Sequence, residues 1–70
     1  MMYRIPVNST NIASIGYDSS SMTLEVEFVS GGIYQYFDVP ENVYNELMSA
    51  DSHGTFLNRQ IKGYYRYARI

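Results

Sequence analysis

Met22-Thr23-Leu24-Glu25-Val26-Glu27-Phe28-Val29 is the stretch on which the fold turns. Met22, Leu24, Val26 and Phe28 alternate with Thr23, Glu25 and Glu27, the period-two pattern of a strand with one dry and one wet face. A register slip of one residue would bury both glutamates, so the pairing is well specified. The four apolar residues are expected to line the core, and the two glutamates to face water.

Working outward, polar turn residues flank this strand. Asp18-Ser19-Ser20-Ser21 precedes it, with short side chains that hydrogen-bond locally and compete with a ladder. Ser30-Gly31-Gly32 follows it and supplies the glycines of a tight hairpin. A first strand is read over residues 11–17, with Ala13, Ile15 and Tyr17 on one face. A third is read over residues 33–39, apolar or aromatic on both faces. Together they make a three-stranded antiparallel meander.

Pro40 sits where a helix begins, and Glu41 places a favourable charge in its first turn. Val43, Tyr44, Leu47 and Met48 then recur at helical spacing. Asp51 or Ser52 can cap a second short helix carrying Phe56, Leu57 and Ile61, with Gly63 as its left-handed terminator. Residues 64–70 read most simply as a fourth strand, with an irregular tail as the alternative. The fold class is α+β: a meander followed by two short helices.

Length and composition limit the rest. Seventy residues make one domain. Cysteine is absent, so packing alone must hold the chain together. At 46% hydrophobic and 16% aromatic, with eight tyrosines, it is too apolar to be disordered. No run approaches the roughly 18 apolar residues of a membrane span, and the N-terminus lacks a signal peptide's apolar stretch. A cytoplasmic location is the expectation. Asn8-Ser9-Thr10 matches a glycosylation sequon, which without a secretory signal reads as chance.

The net charge of −2 argues against a non-specific nucleic-acid binder, but its distribution is uneven. Residues 1–58 carry seven acids and only Arg4, whereas residues 59–70 carry Arg59, Lys62, Arg66 and Arg69 with no acid. The chain has a basic end.

Candidate chemistry is sparse. His53, the single histidine, follows Asp51 and Ser52, but sequence neighbours seldom point at one another as a triad requires, and a capping loop explains them better. With no second histidine and no cysteine, no catalytic, metal or cofactor site is expected. Glu25 and Glu27 lie at i and i+2 but on the wet face, where neither is desolvated as acid–base work demands. The chain reads as a non-enzyme.

Two binding features remain. Tyr34 and Tyr36 place both rings on one face of a strand, as base-stacking platforms do and as ordinary cores do more often. Arg59, Lys62, Tyr64, Tyr65, Arg66, Tyr67 and Arg69 interleave cations with aromatics. That mixture suits phosphate contact with stacking, a protein interface rich in tyrosine and arginine, or a basic edge strand that discourages aggregation.

The ordered set of Ile12, Ile15 and Tyr17, then Leu24, Val26 and Phe28, then Gly32 with Tyr34-x-Tyr36, Val39-Pro40, and Ser52, Gly54, Phe56, Asn58 and Ile61 resembles the KTSC domain. This short bacterial and phage module takes its name from the C-terminus of some lysyl-tRNA synthetases and also occurs free-standing. The resemblance runs from about Ser9 to Tyr65. Residues 1–10 show no periodicity, and Pro6 with Asn8, Ser9 and Thr10 suits an extended leader, bounded at residues 1–8. A single KTSC-like domain follows over residues 9–70, and the chain reads as a free-standing member. The resemblance offers no catalytic residues, only the Tyr34–Tyr36 pair and the segment from Ser52 to Ile61. A suggested RNA partner comes from the synthetase attachment, which is association rather than mechanism. The expected function is a non-catalytic binding module for nucleic acid, RNA above all, through Tyr34, Tyr36, Arg59, Lys62, Tyr64, Arg66 and Arg69. A protein-interaction or assembly module is the alternative.

Overall fold

The computed structural model describes residues 2–70. Five antiparallel strands form one sheet in chain order: β1 (Arg4–Pro6), β2 (Ile12–Asp18), β3 (Thr23–Phe28), β4 (Ile33–Tyr36) and β5 (Tyr67–Arg69). Between β4 and β5 run α1 (Glu41–Ser49), α2 (His53–Phe56) and one π-helical turn (Leu57–Ile61) that continues α2. The expected meander and the C-terminal strand are present, but the strand count is corrected from three or four to five. The added strand is β1, in the segment read as a leader: its extended backbone pairs Ile5 with Ile15 at the edge of the sheet.

The deciding strand is oriented largely as its alternation requires. Leu24 and Val26 are fully buried and Phe28 is half-buried. Met22 is the exception, 39% exposed, because it lies in the preceding turn with φ of +54° rather than in the strand. Ile12 reaches the core through an irregularity between Ile12 and Ser14, which places Ala13 as the extra residue of a bulge and turns Ile12 onto the face shared by Ile15 and Phe28.

Both helical segments pack on that face. Leu47 of α1 is buried, with Val43, Tyr44 and Met48 partly so, as their spacing demands. Tyr44 stacks on Tyr17 with centroids 4.8 Å apart, and the Tyr17 hydroxyl donates to the Val39 carbonyl at 2.5 Å. Of the two candidate caps for α2 it is Ser52 that serves, its Oγ accepting from the Thr55 amide at 3.2 Å. Leu57 and Ile61 complete the core, and Gly63 ends the segment at φ of +85°. No helix among the described residues is long and apolar enough to cross a membrane.

The helix-free face corrects the expectation of two wet glutamates. Glu27 is half-buried and Glu25 only 3% exposed. Arg4 of β1 reaches across Gly16 and forms an ion pair with Glu25, and the Gln35 amide donates to the other Glu25 oxygen at 2.9 Å. Arg4 Nε also donates to Ser14 Oγ at 3.0 Å, and Ser14 Oγ donates to Glu27 at 2.8 Å. Hence a polar chain runs from β1 to β4. A buried carboxylate is tolerable only when so paired. Gly16 makes room, since a Cβ there would lie 2.5 Å from the Tyr3 carbonyl oxygen.

Candidate nucleic-acid interface

The sheet register brings part of the predicted site together. Tyr34 pairs with Val26 and Arg69, and Tyr36 pairs with Leu24 and Tyr67. Across a ladder, paired side chains share a face, so Tyr34, Tyr36, Tyr67 and Arg69 all lie on the side that carries Leu24 and Val26. The two tyrosines are therefore not an open platform. Tyr36 is 3% exposed and belongs to the core, while Tyr34 is half-buried at its margin.

At that margin lies a groove of about 500 Å³, lined chiefly by Phe28, Tyr34, Tyr36, Lys62 and Tyr67. Its rings are mutually arranged: Phe28 and Tyr34 meet edge to face at 5.5 Å, and Tyr67 leans over Tyr34 and Tyr36, each at 6.0 Å. Such offset and edge geometries suit the ring quadrupoles. Tyr67 is 63% exposed, so its ring is open to solvent.

Two cations frame these rings. The π-helical turn, closed by the Lys62 amide donating to the Leu57 carbonyl at 2.9 Å, delivers Lys62 so that its ammonium stands 5.1 Å from the Phe28 centroid. The Arg69 guanidinium stands 5.9 Å from the Tyr34 centroid, both within cation–π range. Gly32 permits this closeness, since a Cβ there would meet Tyr34 Cε1 at 3.1 Å and Arg69 Nε at 3.5 Å. None of the lining residues is acidic, although the chain as a whole is.

The other predicted residues lie outside the groove. Arg66 pairs with Asp38 at 2.9 Å and covers the Phe37 ring at 5.4 Å. Arg59 and Tyr64 are exposed but do not line it. From the sequence pattern Phe28 reads as core, and Tyr67 only as one of the aromatics interleaved in the basic end and not as a binding residue, though its spacing from Arg69 puts both on one face of β5. His53 is structural: its Nδ1 donates to the Leu47 carbonyl at the end of α1, at 2.8 Å. Among the described residues, no group of three or more histidines, cysteines and acids is placed to hold a metal.

Burial, with Tyr34 and Tyr67 adding to it, pushes the Tyr36 phenol above its ordinary range. A raised folded value means that the fold favours the neutral phenol. The resulting stability is intact below the unfolded value of about 10 and is lost as pH rises through the folded one. Denaturant melts at rising alkaline pH should therefore show a decline that Tyr36→Phe reduces. An unchanged decline in that variant would assign the loss to other groups.

Comparison with known proteins bears on the family and the fold. The KTSC domain family matches residues 8–65. The crystal structure of a KTSC domain protein from Yersinia pestis superposes with a TM-score of 0.97 at 44% identity, covering 100% of this chain and 99% of that one. An uncharacterised protein of Stutzerimonas stutzeri is 44% identical over 70 residues, 99% of each chain. A lysine–tRNA ligase of Trichormus variabilis is 43% identical over 54 residues, which are 77% of this chain but only 10% of the ligase. With both the family pattern and the whole fold shared, the chain belongs to the KTSC domain family.

Proposed function

We propose that the chain is a non-catalytic module that binds single-stranded nucleic acid, RNA in particular, in the groove lined by Phe28, Tyr34, Tyr36, Lys62 and Tyr67, with Arg69 beside it at Tyr34. The observation that carries the reading is a groove that joins the exposed Tyr67 ring to the Lys62 ammonium and is lined by no carboxylate, with the Arg69 guanidinium over the adjoining Tyr34 ring, in an acidic protein. A base can stack on Tyr67 while the neighbouring phosphates meet Lys62 and Arg69, the combination that single-strand binders use. Similarity to part of a lysine–tRNA ligase, a protein named for its RNA substrate, points the same way.

The test is a titration of labelled single-stranded RNA and DNA at several salt concentrations. Two phosphate contacts give log Kobs a slope of about −1.4 against log salt, so a fourfold rise in salt should weaken binding about sevenfold. Lys62→Ala or Arg69→Ala should each reduce the slope by about 0.7. Arg66→Ala, which removes the same charge outside the groove, should leave it unchanged. Absence of binding at low salt, or equal effects of all three variants, rejects the reading.

A protein partner is the second reading. Tyr64, Tyr67 and Ile70 expose apolar surface together at the C-terminal end, and tyrosine is favoured at protein interfaces. Such an interface would respond little to salt.

A further inference from the structure

Beyond Phe28, Ser30 and Lys62 a second depression of about 440 Å³ opens, and those three residues line both spaces. The chemistry changes across them. Where the first compartment is walled by tyrosines, the second is walled by Thr10, Asn11 and Asn58 along with the shared Ser30. Asn11 and Asn58 are both exposed. A carboxamide holds a donor and an acceptor side by side, which lets it pair with the edge of a nucleobase. Gly54 leaves Asn11 its place, since a Cβ there would come within 3.3 Å of Asn11 Nδ2. Lys62, the single lysine of the chain, stands on the boundary, its ammonium over the Phe28 ring.

We infer that the groove takes two successive nucleotides of a single strand. One base stacks among Phe28, Tyr34 and Tyr67, the linking phosphodiester meets Lys62, and the edge of the neighbouring base is read by Asn11 and Asn58. This rests on the nucleic-acid reading above and adds two things to it: the smallest ligand that fills the site, and the origin of base preference. The aromatic compartment is sequence-tolerant because every base has a π face, so discrimination must come from the amide side.

The intact chain should be titrated at low salt with 5′-mononucleotides, with the sixteen dinucleoside monophosphates, and with homopolymers of each base. A preferred dinucleotide should bind at least about tenfold more tightly than either mononucleotide, a gain equal to one well-placed base. Asn58→Ala, and independently Asn11→Ala, should remove that gain and flatten the preference while mononucleotide binding stays as it was. Tyr67→Ala should weaken every ligand alike. If homopolymers bind but dinucleotides bind no better than mononucleotides, or if base preference survives both asparagine variants, the second compartment is refuted and the nucleic-acid reading stands. If no homopolymer binds, that reading falls and the two-nucleotide site with it.

Discussion

Leu24→Ala should destabilise the domain by about 2–5 kcal/mol, read as a lowered urea midpoint at unchanged slope. Leu24 is fully buried at the centre of the sheet, between Tyr17 of β2 and Tyr36 of β4 in the ladder. Truncation removes transfer free energy and leaves a cavity whose walls belong to three strands, so collapse around it is limited. Against a total stability of about 5–15 kcal/mol for a folded protein, and less for so short a chain, the loss is a large fraction. An unshifted midpoint would mean that this face is not the core.

Arg4→Ala should produce the next largest loss, although it lies in a three-residue strand at the sheet edge. It strips Glu25 of its cation and leaves the carboxylate, 4% exposed, with Gln35 as its side-chain partner. Removing one member of an enclosed ion pair costs about 3–5 kcal/mol. Here the Arg4 side chain is itself 26% exposed, and water can reach the gap, so about 1–3 kcal/mol is expected. The double variant Arg4→Met with Glu25→Met should lose less than the two single changes together, because no charge is then left stranded. Additive losses in urea melts would show that the clasp contributes nothing as a pair.

The two variants also divide what was legible in the chain from what was not. Leu24 and Val26 announce themselves by alternation, Val43, Tyr44, Leu47 and Met48 by helical spacing, and Ser52 and Gly63 by backbone chemistry, because each signal is local. Arg4 and Glu25 are far apart in sequence, and β1 is too short to show periodicity. The sign that the sequence does carry is Gly16: a glycine inside an apolar strand often marks the close approach of another backbone. For the site, period two on β5 joins Tyr67 to Arg69, and the β4–β5 register then sets both beside Tyr34. That register spans the helical segment and has no local signature. Neither does the pairing of Arg66 with Asp38, a cation that the sequence groups with the basic end but that lies outside the groove.

Strand order that follows chain order bears on how quickly the molecule assembles. β1 to β4 can zip together through successive short loops, each with a small closure entropy. β5 differs, since Tyr67 must find Tyr36 after the whole intervening helical segment has been laid down. Its pairing spans the longest stretch of chain in the sheet, and with every residue exposed it is the strand expected to dock last and fray first. Because β5 supplies Tyr67, the groove exists only while β5 is docked, and a nucleic-acid strand bound as proposed would hold β5 in place.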